Sequence, residues 1–482
     1  MRYIICAYFQ YSGVTWTCRA TLTAMRESRL VCLGLACCIA SLACEDFGKN
    51  APEEQIGGDS ARSGGAAGAA TSGGDTARGG SGGTSAPTSG GSTSAGGSSA
   101  ATSTVVETYP KPCADLYDEN ILPTFELEIA PSDLQAIETD CVGQVKAYHP
   151  ATLKYGNETA SAMVRLKGNW SWRCDKKQYL ISFNETDSTG RFHGLRKIVL
   201  DAPWYDPTLL AERVGFSFMR RVGAHWSCVN NAKLYVNGEY QGLYVNVERI
   251  DKEYLQRHFT DADAEGNLYD GGSELRTNET LGDVSRRDAL MKATDIQTID
   301  AMSDLDEAVR YWAAAAILPD VDSYWAGVEI NYFLYDHPTR GFLWFPYDMD
   351  MTLLVGSLNS SKSSVTIGSV DSVIKADPFT YQNSHWLKER LVKVALSNAH
   401  WCERFLEELK AARAAYDATA MSAQLDIWAA QIAEAVETDP RKSFSNADHL
   451  NAVATMKANM TKRLAFIDEW LKTATCPVTT WP

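Results

Sequence analysis

Lys233-Leu234-Tyr235-Val236-Asn237-Gly238-Glu239-Tyr240-Gln241-Gly242-Leu243-Tyr244-Val245-Asn246-Val247-Glu248 reads as a single β-hairpin. Asn237-Gly238 suits the positive-φ positions of a tight turn, and the runs on either side are rich in β-branched and aromatic residues. Upstream, Pro123-Thr124-Phe125-Glu126-Leu127-Glu128-Ile129 alternates as a strand, and residues 162–166 and 178–183 read as two more. Pro131 opens a short helix. Asp206-Pro207 predicts another, with an N-cap and proline at its first position. Its apolar stripe is Leu210, Val214, Phe218 and Val222, with Gly223 as its stop and Glu212 off the stripe. Downstream, helix dominates: 251–258, an Ala-rich 304–318, and 386–471 with breaks near Asn398 and Asp439. One hairpin interrupts it, 330–335 with 341–345. The expected fold class is α+β, a β-rich lobe at about 120–250 and a mostly helical lobe at about 251–482, with a cleft between them.

The second hairpin leads into Tyr347-Asp348-Met349-Asp350-Met351-Thr352. Two carboxylates at i and i+2, leaving a buried apolar strand, are costly unless a cation uses them. Mg²⁺ with a nucleoside triphosphate is one such use, because hard cations take carboxylate oxygens. A plain turn or a solvated strand end is the bland alternative.

The ends of the chain carry other information. Met25-Arg26-Glu27-Ser28-Arg29 is a short basic start, residues 30–43 are apolar and small, and Cys44 follows. That pattern reads as an export signal with a lipid-modifiable cysteine, and Met25 as the better start. Residues 45–104 form a linker, almost entirely Gly, Ser, Ala and Thr from residue 57 to 103. No core forms from that composition. As a tether it spans on the order of 40 Å. Of the 12 cysteines, Cys113, Cys141, Cys174, Cys228, Cys402 and Cys476 lie beyond the linker. An even set in an exported domain predicts up to three disulfides, with connectivity open. The net charge of −15 argues against nucleic acid as a partner and for a basic one.

Four blocks together resemble the spore-coat protein H (CotH) family of atypical kinases. They are Arg165-Leu166-Lys167-Gly168-Asn169-Trp170-Ser171-Trp172 with Lys176-Lys177; Leu210-Ala211-Glu212-Arg213; the hairpin above through Glu248-Arg249-Ile250-Asp251-Lys252; and Asn331-Tyr332-Phe333-Leu334-Tyr335 with Tyr347-Asp348-Met349-Asp350. The resemblance implies a two-lobed, protein-kinase-like fold and transfer of phosphate from Mg²⁺-ATP to protein Ser/Thr. It assigns Gly168 and Asn169 to a loop over the phosphates. Lys177, or its neighbour Lys176, becomes the phosphate-contacting lysine, and Glu212 its partner. Glu248 opens a hinge whose backbone would meet adenine. Asp322 is the catalytic carboxylate, and Asp348, Asn331 and Asp350 are the metal ligands. Where relatives commonly carry Gly-Asn, this chain has Pro319-Asp320, which makes Asp320 a rival to Asp322.

Two other functions compete. One is a kinase-like surface or binding lipoprotein without turnover, favoured by the scarcity of ATP outside cells. The other is a carbohydrate-active protein using Trp170, Trp172, Trp204 and Tyr205 for stacking. The sequence contains no nucleophile-elbow serine, HExxH or Walker loop to suggest a further enzyme class.

Overall fold

A computed structural model describes residues 3–11, 14–22, 108–169, 171–203, 205–327, 330–353, 370–380 and 390–476. The export signal, the linker, Trp170, Trp204 and the expected helix start at Trp386 lie outside these residues. Tyr3–Tyr11 (β1) and Val14–Leu22 (β2) pair antiparallel in a separate N-terminal unit.

The main unit opens with β3 (Thr124–Glu128), α1 (Pro131–Gly143), β4 (His149–Tyr155), β5 (Glu158–Lys167), β6 (Gln178–Ser182), β7 (Lys197–Asp201), α2 (Ala211–Val222), β8 (Val229–Val236) and β9 (Glu239–Val247). The seven strands close into a barrel in the order β3-β4-β5-β6-β7-β9-β8. The β3–β8 pairing is parallel, with Phe125 beside Leu234, and it closes the ring. Asn237 (φ 49°) and Gly238 (φ 79°) form the expected tight turn between β8 and β9. Asn237 also accepts from the Ile129 N–H and donates to the Ile129 carbonyl, both at 2.8 Å, which ties that turn to the end of β3.

Phe125, Leu127, Leu153, Val164, Ile181 and Leu234 fill the barrel. The outer faces of β6, β7 and β9 are buried too. There Leu180, Val199, Leu243 and Val245 join a second core shared with the helices. Burial on both sides explains why these strands read as continuous apolar runs rather than alternating ones.

After α3 (Lys252–His258), capped by Asp251, come β10 (Asn267–Asp270), β11 (Glu274–Leu275), α4 (Ser285–Lys292), α5 (Ile296–Met302) and α6 (Leu305–Ile317). Strands β12 (Tyr332–His337) and β13 (Gly341–Pro346) complete a sheet of order β11-β10-β12-β13. Helices α7 (Val370–Ile374), α8 (Arg390–Leu396), α9 (Ala399–Ala415), α10 (Ala418–Glu437) and α11 (Asn446–Leu471) finish the described chain. The fold class is the α+β expected, β-rich first and helical afterwards. Ala313 to Ala316 are fully buried, and their small side chains let α6 lie against α2, α9 and β13.

Three details depart from the sequence reading. Helix α2 starts at Ala211 rather than Pro207, because Leu209 adopts a left-handed φ of 57°. Asp206 still acts as a cap, accepting from the N–H groups of Thr208 (2.8 Å), Leu210 (3.0 Å) and Ala211 (2.8 Å). An extra break at Tyr416-Asp417 separates α9 from α10, with Asp417 capping the latter. Strands β4, β7, β10 and β11 had no strong pattern of their own. The three disulfides pair Cys113 with Cys228, Cys141 with Cys174, and Cys402 with Cys476.

Glu307, near the start of α6, is buried against His225 and Arg340. Burial works against its charge, but His225 and Arg340 outweigh burial and hold the carboxyl at about 2. A depressed folded-state value gives stability that is present above pH 4.5 and is lost as pH falls towards 2. Glu307→Gln should therefore cost about 3 kcal/mol at pH 7 and flatten the acid side of a Tm-against-pH curve.

Candidate active site

Four stretches converge at one end of the barrel. Strand β5 ends on Lys167 and β7 on Asp201, on either side of Gln178 in β6. The Lys167 Nζ forms an ion pair with Asp201 and donates to Gln178 Oε1 at 3.2 Å. Helix α2 brings Glu212 in its first turn. The β12–β13 hairpin has Tyr332 opposite Pro346, so Asn331 and Tyr347 leave the sheet side by side, with the Tyr347 N–H donating to the Asn331 carbonyl (3.4 Å). The segment after α6 supplies Asp320 and Asp322. Buried Arg463 of α11 secures that segment by donating to the carbonyls of Ile317 (3.2 Å), Ile374 (2.9 Å) and Ala376 (2.7 Å).

The turn at Asp348 is tightly built. Asp348 has φ 53°, a left-handed conformation that Asp tolerates better than most residues. Met349 is fully buried against Gly215 of α2, where an added Cβ would approach Met349 atoms to 3.0 Å. Glu212 accepts the Met349 N–H, and the Leu353 N–H reaches the Leu318 carbonyl at 3.3 Å. The glutamate off the apolar stripe is thus buried after all, and it pins the turn that carries Asp348.

Asp322, Asp348, Asp350, Lys167 and Asp201 are mostly buried but each keeps some solvent exposure, 17% for the Lys167 side chain and 14% for that of Asp201. Asn331 Nδ2 donates to Asp322 Oδ2 at 2.7 Å. The carboxyls crowd one another electrostatically. Burial and then Asp348 raise Asp322 to about 7; burial and then Asp201 raise Asp348 to about 6, with Lys167 opposing. Asp350 and Glu212 are both pushed well above the carboxylate range, first by burial and then by Asp348. Lys167 loses by burial but is held above the ordinary lysine range by Asp201, Tyr347 and Asp348.

Such a cluster is electrostatically under-compensated and suits a divalent cation. Glu212 Oε2 and Asp320 Oδ1 are buried atoms without a partner, which fits the same need. Among the described residues no three His, Cys, Asp or Glu groups form a ready-made metal cage. That is compatible with Mg²⁺, which takes one or two carboxylates and completes its shell with phosphate oxygens and water. The residues present fit Mg²⁺ bound together with a phosphate ester.

Several expectations need correction. Lys176 is buried and donates to Asp439 Oδ2 (2.6 Å) and the Leu243 carbonyl (2.7 Å). Lys177 pairs with Glu138 of α1 at 2.9 Å and donates to the Cys174 carbonyl. Neither joins the cluster; Lys167 does. Strand alternation was the wrong guide for the pair, since β6 begins only at Gln178. The missed signal was Asp201, a carboxylate ending the apolar run Ile198-Val199-Leu200. Glu212 pairs with neither predicted lysine.

Glu248 is also committed elsewhere. Its carboxylate takes two bonds of 2.7 Å from Arg257 and one of 2.9 Å from the Cys228 N–H. Its own N–H donates to the Cys228 carbonyl at 2.8 Å. The residue ties the hinge to β8 and α3, and neither its side chain nor its N–H is free for a nucleotide.

Gly168 has φ 109°, and an added Cβ would sit 3.3 Å from Ser171 Oγ, so the loop needs glycine there. Asn169 accepts from Lys146 Nζ at 3.0 Å. The Trp172 indole donates to the Cys141 carbonyl (2.8 Å), and the Cys141–Cys174 disulfide fastens the same loop to α1. Asp320 is fully buried and accepts the Asp322 N–H, so of the two rivals it is Asp322 that keeps solvent exposure.

A family model described as CotH kinase protein matches residues 164–473. The chain belongs to the CotH family. It is therefore a kinase-like protein, and the matched span takes in every cluster residue. This CotH chain is similar to inner spore coat protein H of Bacillus subtilis (strain 168), at 24% identity over 262 residues, covering 49% of this chain and 70% of that protein. Among solved structures it is similar to the proinflammatory kinase CtkA of Helicobacter pylori, at 11% identity and TM-score 0.33, covering 61% of this chain and 94% of the other. It is also similar to a chain of the Shewanella oneidensis MR-1 HipA–HipB–operator DNA complex, at 12% identity and TM-score 0.26, covering 58% and 61%.

The Cys141–Cys174 bridge closes a loop across a sequence separation of 33. Replacing both cysteines by serine should cost about 3–4 kcal/mol of stability, read as a lower denaturant midpoint. It should also free the Gly168–Asn169 segment, read as faster proteolysis there.

Proposed function

We propose that this CotH-family chain transfers the γ-phosphate of Mg²⁺-ATP to Ser/Thr hydroxyls of a secreted or surface protein. The observation that carries the reading is the joining of Lys167, Asp348, Asn331 and Asp322 in one partly exposed cluster. Mg²⁺ held by Asp348, with Asn331 and Asp350 beside it, would neutralise charge on the phosphate oxygens.

Lys167 would set its ammonium against a phosphate oxygen, with Asp201 and Gln178 fixing its direction. Glu212 would hold the Asp348 turn through the Met349 N–H. Asp322, oriented by Asn331, would accept the proton of the attacking hydroxyl as its oxygen bonds to the γ-phosphorus and the bond to ADP breaks. A carboxyl held near 7 suits proton transfer at neutral pH. The chain's acidic balance favours a basic Ser/Thr-rich protein as acceptor. The signal-like stretch before Cys44 supports a domain exported and tethered to the cell envelope. Nothing in this reading calls for nucleic acid.

The test is incubation of the purified, oxidised chain with Mg²⁺, labelled ATP and a basic Ser-rich protein. Transfer that chelation abolishes is the expected result. A chain that neither transfers phosphate nor binds nucleotide is instead a kinase-like surface protein, the second reading. The buried Asp320 in the place of the family's usual residue favours that alternative.

A further inference from the structure

A second lysine, Lys146, stands beside the same site. Helix α1 ends on a left-handed residue, Gln144 (φ 55°), and the Val145 N–H turns back to the Asp140 carbonyl at 2.8 Å. The Cys141–Cys174 bridge fixes that helix end to the loop after β5. The backbone leading to Lys146 is therefore held in place, and Lys146 Nζ donates to Asn169 Oδ1 of that loop at 3.0 Å. Lys146 precedes the family-matched span, so membership assigns it no role.

The strand registers give its position along the site. In β7, Val199 lies beside Val247, where β9 runs out to the hinge, and Leu200 lies beside Tyr179 of β6. Asp201 and the Lys167–Gln178 pair come next, at the end away from the hinge. The loop carrying Gly168 and Asn169 continues beyond that end. A nucleotide with its base on the hinge side and its inner phosphates at Lys167 points its outermost phosphate towards Asn169 and Lys146.

Lys146 is mostly buried but keeps some solvent exposure. Among the described residues no carboxylate pairs with it, and Asn169 takes one of its three donors. The neighbouring cations are already paired, Lys167 with Asp201, and Arg276 with Asp270 and Glu274 at 2.8 Å each. Burial and then Arg276 pull Lys146 below the ordinary lysine range; Lys167 adds to the effect, and Glu274 and Asp270 oppose it. A phosphate beside the ammonium would offset that burial. We propose that Lys146 binds the outermost phosphate of the nucleotide and makes the site select a triphosphate over a diphosphate. The assignment rests on the Mg²⁺-ATP reading above. Asn169 orients the ammonium, and its remaining N–H groups donate to that phosphate.

The test is calorimetric titration of the full, oxidised chain, in Mg²⁺, with a non-hydrolysable ATP analogue and separately with ADP. The parent should bind the triphosphate more tightly. Lys146→Gln should weaken the analogue by about tenfold or more, the usual worth of a charge-assisted hydrogen bond, and leave ADP within about twofold. Lys146→Arg, which keeps the charge, should retain the preference. The ratio of the two affinities is the deciding readout, because a loop that is merely loosened weakens both nucleotides together. Lys146→Gln that loses nothing, or loses both nucleotides equally, overturns the proposal and leaves the Mg²⁺-ATP reading standing. A parent that binds neither nucleotide overturns that reading and this assignment with it.

Discussion

Lys167→Met should lower kcat/KM for phosphotransfer by about 10²- to 10³-fold, the usual cost of removing one preorganised charge-stabilising donor. The change should also cost stability, because the Asp201 side chain is only 14% exposed and loses its cation, so each activity is compared with the denaturant midpoint of the same variant. The neighbouring lysines should behave differently. Lys177 pairs with Glu138, whose side chain is 57% exposed, so Lys177→Met should leave activity within about twofold. Lys176 is paired with Asp439, which is completely buried, so Lys176→Met should cost about 3–5 kcal/mol of stability. Activity assays and denaturant midpoints on the three variants separate these roles. Full activity in Lys167→Met would remove the lysine from the mechanism.

Asp348→Asn should move activity and stability in opposite directions. Loss of the main metal ligand forfeits several kcal/mol of transition-state stabilisation, so kcat should fall by about 10³-fold or more. Asparagine is the cleaner replacement because it also tolerates the left-handed φ of 53°. In the fold, Asp348 is raised from 3.8 to about 6 by burial and Asp201. A raised carboxyl binds its proton more tightly in the native state, so it lowers stability as pH rises from about 4 to 6. Removing that charge should stabilise the metal-free protein at pH 7 by on the order of 2 kcal/mol. Melting curves without Mg²⁺ read this directly. A variant less stable than the parent at pH 7 would mean that the cluster is not under-compensated.

The sequence was most legible where local chemistry decides the structure. Asn237-Gly238 leaves little choice but a tight turn, and the helices expected from residues 251 and 304 form there, each capped by the aspartate at that position. The metal-site candidates were visible because two acids after an apolar strand are conspicuous. The lysine was not, because its selection is tertiary. Three lysines lie between residues 167 and 177, and only the closure of β5, β6 and β7 puts Lys167 across from Asp201. Glu248 misled for a similar reason. Its sequence position is hinge-like, but Arg257 and Cys228, which occupy it, are set by α3 and a disulfide. Asp320 and Asp322 differ in burial through the packing beyond α6, which neither residue's own neighbourhood reveals.

Lys167 and the acidic cluster should together bind a metal-bound nucleotide. Calorimetric titration of the oxidised chain with a non-hydrolysable ATP analogue, with and without Mg²⁺, tests it most directly. The expected result is saturable binding that requires Mg²⁺ and is lost in both Lys167→Met and Asp348→Asn. Absence of binding, or binding that needs neither the metal nor these two side chains, would contradict it.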